Sequence, residues 1–250
     1  MKLSVKVFAL GAALFVANPA KGDIVLFEDF EDSTVGYSLG DDTQSSDGGF
    51  DFFGRVPEIS IGAGVQYGNI QGTGYFAAMD IDAPDVGSGD PNAGDDATIS
   101  WSNLDISGLS NLQFSGFFAE DDDGDNQDWD QTDSVVIRYR IDGGSFVNLL
   151  AFEAAADTDQ FNSEPLVDTD FDGIGDGTAL TSDFAQFTAV IGGTGSTLDL
   201  EIFITNLDSG DEDIAFDNIT IESITAIPEP SSLIALCGIG AFTAVRRRRK

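Results

Sequence analysis

The residues whose types and spacing could do chemistry are the aspartates of one short loop, DTDFDGIGD, at positions 168–176. Calcium is a hard cation that takes roughly six to eight oxygen ligands, and alternate aspartates on a tight loop can turn several carboxylates inward. Asp168, Asp170 and Asp172, followed by Gly173, fit the first half of an EF-hand-type loop. The sequence therefore predicts a calcium site here, and a solvated acidic loop is the alternative.

The rest of this loop departs from an EF-hand. Ala179 stands at the twelfth position, where an EF-hand has an acidic residue, and the flanking pattern is not helical. The run instead resembles the Asp-rich calcium repeats of the thrombospondin type 3 class. That resemblance implies a single repeat-like loop in which Asp176 joins Asp168, Asp170 and Asp172 as a ligand.

A second acidic stretch, EDDDGDNQDWD at 120–130, has more carboxylates but no regular spacing, so a solvated hairpin tip is its simplest interpretation. Trp129 lies between two of its aspartates. An aromatic ring in that setting can stack on a sugar while the carboxylates bind the sugar's hydroxyls, or it can fold back into the core. Trp129 and Trp101 are the candidate residues for glycan binding.

A third constellation joins the two ends of the body, FEDFE at 27–31 and EDIAFDNI at 212–219. The pair resembles the first and last strands of jelly-roll modules, such as carbohydrate-binding modules and adhesive MAM-like domains. In such modules the terminal strands lie side by side, and an early acid with a late aspartate often holds a structural calcium. The resemblance implies Glu28 and Asp217 as metal ligands; two ordinary edge-strand residues are the alternative.

The sequence argues against an enzyme. It contains no histidine, and its single cysteine, Cys237, lies near the C-terminus, so a Ser-His-Asp triad, a Cys-His pair and histidine-ligated zinc are excluded. A pair of carboxylates could hydrolyse a glycoside, but nothing marks one pair among so many acids. We expect a non-catalytic protein.

The elements that must position these residues are β-strands. Short apolar runs alternate with polar residues and are separated by Gly, Asp and Asn. Val135, Ile137, Tyr139 and Ile141 form one apolar face, and the DGG at 142–144 suits a hairpin turn. The prediction is an all-β, two-sheet sandwich of jelly-roll type, with strands near 24–30, 58–61, 65–70, 75–80, 97–101, 112–119, 134–141, 146–150, 184–190, 197–205 and 214–221, and one brief helix at 153–157.

The two ends of the chain read as targeting segments. Lys2 and Lys6 precede an apolar run and then small residues, the order of a secretory signal peptide over residues 1–22. Residues 228–250 comprise Pro228-Glu229-Pro230, an apolar run of 13 residues from Leu233 to Val245 and a basic end. This order resembles the PEP-CTERM sorting signal of bacterial exported proteins, with an ordinary tail anchor as the alternative. The matching residues are Pro228, Glu229, Pro230, Arg246, Arg247, Arg248 and Arg249.

The body between these segments, residues 23–227, is strongly acidic. Three of the 11 basic residues lie before it and five after it, and of the 44 acidic residues only Glu229 lies outside it. Three arginines thus face 43 acidic residues, a net charge near −40. Such a body repels nucleic acid and anionic surfaces, so nucleic-acid binding is excluded and cations are the natural partners. Without a cysteine in the body, bound calcium is a candidate for stabilising it.

These features predict a non-catalytic protein that is exported through the inner membrane to the cell surface or extracellular matrix. Its only membrane contact is the short transmembrane sorting helix, which anchors it transiently. The resemblance of the tail implies sorting by an exosortase, a membrane peptidase, and exopolysaccharide or cell-envelope glycans are expected as partners. The alternative is a lectin-like carbohydrate-binding module whose function is recognition of a specific glycan.

Overall fold

The computed structural model describes residues 22–32, 36–40, 42–81, 96–121, 129–155 and 164–224. The predicted signal peptide, the sorting segment 228–250 and most of the acidic stretch 120–130 therefore lie outside the described residues. Among those described, no helical segment has the length and hydropathy of a membrane span.

The described part of the chain contains twelve strands. They are β1 (Ile24–Glu28), β2 (Ser45–Ser46), β3 (Phe52–Val56), β4 (Tyr75–Met79), β5 (Asp96–Asp105), β6 (Leu112–Ala119), β7 (Ser134–Ile141), β8 (Val147–Glu153), β9 (Leu166–Val167), β10 (Ala185–Ile191), β11 (Thr197–Thr205) and β12 (Asp213–Ser223).

The strands form two antiparallel sheets. Sheet A has seven strands in the order β10-β6-β12-β4-β3-β2, and β1 also pairs with β12. Sheet B has five strands in the order β5-β11-β7-β8-β9. Because one buried cluster contains side chains of both sheets, the sheets pack face to face as a sandwich. The all-β, two-sheet prediction is confirmed.

Alternation along the strands builds the core between the sheets. In β11, Leu198, Leu200, Ile202 and Ile204 are fully buried, and the residues between them are partly exposed. Phenylalanines of sheet A fill the centre, where the rings of Phe76 and Phe216 stack with centroids 5.1 Å apart. Burial of these large rings, with the aliphatic side chains around them, contributes to the apolar burial that drives folding.

A second apolar cluster covers the outer face of sheet A. Tyr75, Ala77 and Met79 point to this side of β4, whereas Phe76 and Ala78 point to the core. Loop residues, among them Val65 and Phe184, pack over it. Sheet A is therefore buried on both faces around β3 and β4, whereas β10 and the outer edge of β1 keep exposed side chains.

This cover explains where the strand prediction is wrong. The segments 58–61 and 65–70 contain no strand; their apolar residues Ile59, Ile61, Val65 and Tyr67 belong to the loops that cover sheet A. The segment 52–56 forms β3, which the sequence analysis missed. Its first four residues are all buried, so they show no alternation between apolar and polar positions. The predicted helix at 153–157 is also wrong for its described residues, since Glu153 ends β8 and Ala155 forms a bridge with Gly175.

The hairpin prediction is confirmed. β7 and β8 pair antiparallel across the DGG turn, and Gly144 N donates to Ile141 O at 2.9 Å. Asp142 and Gly143 have φ of 50° and 70°, the left-handed conformation of both central residues of a type I′ turn.

Candidate functional site

The aspartate loop follows β9 and is organised around one buried carboxylate. Asp168 is only 2% exposed, and its backbone N–H donates to Ala151 O of β8. Its Oδ1 accepts hydrogen bonds from the N–H groups of Asp170 and Phe171, at 3.1 and 2.7 Å, and Oδ2 accepts one from Gly173 N at 2.9 Å. These bonds curl the loop around Asp168.

This curl brings three of the four predicted loop ligands together. Asp168, Asp170 and Asp172 each offer a carboxylate oxygen, and the three oxygens lie within 4.8 Å of one another. The negative charge of Asp172, followed by burial and the charge of Asp168, raises the pKa of Asp170. The loop therefore concentrates hard oxygen ligands and like charge, which a divalent cation would neutralise.

The fourth predicted ligand, Asp176, lies outside that group of three. Its Oδ1 accepts hydrogen bonds from Thr169 N at 3.0 Å and from Thr169 Oγ1 at 2.7 Å, and these bonds lower the pKa of Asp176. Sequence reasoning also missed Glu153, a buried acid at the end of β8. Burial, with the charge of Asp168 adding to it, raises the pKa of Glu153 to about 7.

The first and last strands of the body lie side by side, as the jelly-roll resemblance implies. β1 pairs antiparallel with β12, with Glu28 opposite Ile219. Asp217 lies just beyond this pairing, at a bulge in β12, and is completely buried. Its Oδ1 accepts a hydrogen bond from Asn218 N at 2.6 Å, and its Oδ2 has no hydrogen-bond partner among the described residues.

Two further acids act on Asp217. Burial raises the pKa of Asp217 to about 7, and the charges of Glu31 and Asp29 add to the effect. Glu28 is partly buried, and its Oε1 accepts a hydrogen bond from Phe30 N at 3.2 Å. The assignment of Glu28 and Asp217 as metal ligands stays a prediction.

Glu31 is held in place by a glycine-containing turn before β4. Its carboxylate accepts hydrogen bonds from Thr73 N, Thr73 Oγ1 and Gly74 N at 2.6, 2.8 and 3.1 Å, and these bonds lower its pKa. Gly72 has φ of 109°, and a Cβ there would come within 1.9 Å of Glu31 Oε1. Glycine at position 72 is therefore needed for this close approach.

The predicted glycan platform is wrong for both tryptophans. Trp101 is 1% exposed and Trp129 is fully buried, so neither ring presents a face to solvent. Trp101 packs edge-on to Tyr37, with ring centroids 6.1 Å apart. Ala97, Ile99 and Trp101 are the alternating buried residues of β5, so the burial of Trp101 could have been predicted from this period of two.

A further pair of buried acids lies where two loops meet. Asp133, before β7, accepts a hydrogen bond from Asp130 N at 2.5 Å, and Glu212, before β12, accepts bonds from Asp208 N and Ser209 N at 2.6 and 2.9 Å. Burial raises their pKa values to about 9 and about 8, and the charge of Glu212 adds to the effect on Asp133. Both carboxyl groups therefore keep their protons to a higher pH than an exposed carboxyl group does.

The outer face of sheet B carries two arginines, on the polar side of β7 as the alternation predicts. Arg138 Nε donates to Glu201 Oε1 at 2.6 Å, and Arg140 Nε donates to Asp199 Oδ2 at 2.8 Å. The Arg138 guanidinium carbon lies 4.1 Å from the centroid of the Phe203 ring. The face therefore combines an aromatic surface with fixed hydrogen-bond donors and acceptors.

No protein-family model and no curated protein matches this sequence. Among solved structures, the chain is similar to the CBM22-1 xylan-binding domain of Paenibacillus barcinonensis Xyn10C, with 11% identity, a TM-score of 0.39 and coverage of 83% of this chain and 98% of that one. It is also similar to the C-terminal family 22 carbohydrate-binding module of Clostridium thermocellum Xyn10B, with 8% identity, a TM-score of 0.39 and coverage of 85% and 100%.

A third similar structure is the K3 cleaved adhesin domain of Lys-gingipain from Porphyromonas gingivalis, with 16% identity, a TM-score of 0.42 and coverage of 80% of this chain and 100% of that one. No residue of this chain takes a role from these structures.

Proposed function

We propose that this chain is a non-catalytic, exported protein of the cell surface or extracellular matrix, and that calcium stabilises its β-sandwich body. The body carries three arginines against 43 acidic residues, so its folded state concentrates negative charge. A bound divalent cation offsets that charge where the carboxylates are closest.

The observation that carries the proposal is Asp217. It is a fully buried carboxylate with an unpartnered Oδ2, and it faces the like charges of Glu31 and Asp29. The ionised form of a buried carboxylate that has no ion-pair partner costs roughly several kcal/mol, which folding must offset. Among the described residues, only Asp168, Asp170 and Asp172 bring three carboxylate oxygens within 4.8 Å of one another, so a cation at Asp217 would complete its coordination with backbone oxygens and water while giving Oδ2 a partner.

Calcium is the cation that these ligands favour. The group offers only carboxylate and backbone oxygens, and residues 23–227 contain no histidine or cysteine for zinc or a softer metal. The one nearby guanidinium, that of Arg55, donates to Phe30 O at 2.9 Å and pairs with Glu58. The charge of Arg55 also helps to lower the pKa of Glu31, so it offsets part of the negative charge around Asp217, and a bound cation would offset more.

The loop after β9 is the second proposed calcium site. Asp168, Asp170 and Asp172 supply its oxygens, and the mutual repulsion that raises the pKa of Asp170 would be relieved by a cation. Asp168 is already fixed by three backbone N–H groups, so the loop is shaped before a metal arrives. This preorganisation lowers the entropic cost of binding.

Export and sorting are part of the same proposal. The signal peptide and the PEP-CTERM-like tail, with its Pro228-Glu229-Pro230 and basic end, would direct the chain through the inner membrane to an exosortase-type peptidase. The processed body would then reside among exopolysaccharide or envelope glycans. No step of this route requires a catalytic residue in the body.

Carbohydrate binding is the second candidate function, and the outer face of sheet B favours it. This face is partly exposed at Phe203 and Arg138, whereas loops cover the outer face of sheet A around β4. Since both tryptophans are buried, a glycan would have to use this other surface.

Thermal unfolding tests the calcium proposal. The purified protein, stripped of metal with a chelator, should melt at a higher temperature in millimolar CaCl2 than in NaCl of equal ionic strength. A site that binds only the folded state adds about 2.7 kcal/mol at a hundredfold excess over Kd. Equal melting temperatures in the two salts would show that calcium acts only by screening the negative charge, and would refute the proposal.

A further inference from the structure

The outer face of sheet B is open along its central strands in the part of the chain that the structure describes. Along β11 and β7, side chains that alternate with the core residues are partly exposed, and they include Phe203 and Arg138. On sheet A the equivalent outward side chains, such as Tyr75 and Met79, are buried under loops. Sheet B thus leaves a broad surface open for contact with a partner.

A row of hydrogen-bonding groups crosses four strands of this face. The strand register places Ser100 beside Glu201, Glu201 beside Arg138, and Arg138 beside Asn148. The row therefore presents a hydroxyl, a carboxylate, a guanidinium and an amide in sequence. With adjacent strands about 4.8 Å apart, it extends for about 14 Å across the sheet.

Two phenylalanines flank the arginines of this row. The Arg138 guanidinium carbon lies 4.1 Å from the Phe203 centroid and 4.9 Å from the Phe146 centroid, and that of Arg140 lies 4.7 Å from Phe146. The guanidiniums are fixed by ion pairs with Glu201 and Asp199. Because a guanidinium has five N–H donors, each arginine keeps donors beyond those pairs for a ligand.

The charge of this surface indicates the kind of ligand. Two of the body's three arginines lie here, and each is neutralised by a carboxylate of the neighbouring strand. The centre of the face is therefore electrically neutral within a body of net charge near −40. An anionic polymer would be repelled by the surrounding acids, whereas an uncharged ligand rich in hydroxyl groups meets acceptors, donors and ring faces together.

We propose that the outer face of sheet B binds a neutral polysaccharide, with Phe203 and Phe146 contacting sugar ring faces and Ser100, Glu201, Arg138 and Asn148 bonding their hydroxyls. This inference rests on the carbohydrate-binding candidate function and names its site. The ion pairs set the positions of the donors before the ligand arrives, so binding needs little rearrangement.

The test begins with the purified protein, run through native gels containing xylan, galactomannan, hydroxyethyl cellulose or polygalacturonate. At least one neutral polysaccharide should retard it, and polygalacturonate should not. Absence of retardation by all three neutral polymers would overturn both the site and the carbohydrate-binding function. Retardation by polygalacturonate alone would overturn the neutral-ligand assignment.

Variants then separate the site from the function. Phe203→Ala should weaken binding about tenfold through loss of stacking area, and Asn148→Ala about fivefold through loss of a hydrogen bond. Phe27→Ala, an exposed aromatic on β1 of sheet A, is the matched control and should bind as the unmodified protein does.

Melting temperatures of all three variants identify any that fail to fold. If Phe203→Ala does not fold, the binding of Asn148→Ala decides the result, because Asn148 is exposed and its replacement leaves the packing of Phe203 intact. Undiminished binding by a folded Phe203→Ala and by Asn148→Ala would overturn this site while leaving carbohydrate binding itself standing. A loss of binding in Phe27→Ala equal to that in Phe203→Ala would likewise overturn this site while leaving carbohydrate binding standing.

Discussion

Replacing Asp217 with Asn should stabilise the metal-free protein at pH 8. The Asn218 N–H keeps its acceptor, because the amide oxygen of asparagine can replace Oδ1, while the buried charge disappears. The new amide N–H2 can also donate towards the Glu31 carboxylate, one of the like charges that now act on Asp217. The change therefore removes repulsion at little cost in packing.

The magnitude follows from linkage between protonation and folding. The pKa of Asp217 is about 7 in the folded protein and 3.8 in its reference state, so the folded protein holds this proton more tightly. Its contribution to stability is fully present below about pH 4 and is lost as the pH rises to about 7. At pH 8 the full loss, about 4 kcal/mol, is relieved by the asparagine, which corresponds to a melting temperature higher by about 10 °C.

The assay is thermal unfolding in chelator at pH 8 and at pH 4, with Asp23→Asn as the control. Asp23 is exposed and lies at the start of the body, so its variant removes one negative charge without removing a buried charge. We expect the Asp217→Asn gain at pH 8 to exceed that of Asp23→Asn and to disappear at pH 4. Calcium should then raise the melting temperature of the unmodified protein more than that of Asp217→Asn. A metal-free Asp217→Asn protein that is less stable than the unmodified one at pH 8 would refute the reasoning.

Three further predictions concern other parts of the chain. In Asp170→Asn/Asp172→Asn, the metal-free protein should be more stable and its calcium-dependent rise in melting temperature smaller; an unchanged rise would remove this loop from the calcium sites. The stability of the unmodified protein should fall between pH 7 and pH 9.5, because buried Asp133 has a pKa of about 9 and its proton is lost over this range. In Asp133→Asn, the difference between the melting temperatures measured at these two pH values should be smaller. Replacing Arg246–Arg249 with Ser should impair retention and trimming of the tail in the producing bacterium, as followed by immunoblotting of cell fractions; sorting and trimming identical to those of the unmodified chain would contradict the sorting-signal interpretation.

Local periodicity predicted much of the sandwich. Alternation along β7 and β11 located both strands and the orientation of Arg138, because one buried face forces a period of two. It failed at β3, whose residues are buried on both sides, and at residues 58–70, whose apolar side chains cover a sheet without joining it. An apolar run indicates burial, and only its neighbours in space decide whether it is a strand.

The site was predictable only where its residues are close in sequence. Asp168, Asp170 and Asp172 meet within one loop, so their spacing was sufficient. The charge of Glu31 acts on Asp217 from the other end of the body, and Glu31 is positioned by hydrogen bonds from Thr73, 42 residues away. No local pattern reports such contacts, which depend on the pairing of β1 with β12 and on the turn before β4.

The tryptophans were the candidate glycan-binding residues, and both are buried. For Trp129 the sequence left a sugar-stacking ring and a core position open, and the side chain takes the core position, because a large aromatic gains more from the core than from a polar loop. The partners of Arg138 and Arg140 could not be read from sequence either, since Glu201 and Asp199 are brought opposite by strand register some 60 residues along the chain. The open face therefore became visible only in the structure.

Direct measurement of bound calcium tests the central claim. The metal-stripped protein is dialysed to equilibrium against radioactive calcium in a buffer of physiological ionic strength, beside Asp217→Asn and Asp23→Asn. The account predicts saturable binding of at least one calcium ion per chain, reduced in Asp217→Asn and unchanged in Asp23→Asn. Binding that does not saturate, or that is the same in all three proteins, would show only a diffuse ion atmosphere around an acidic body and would contradict the account.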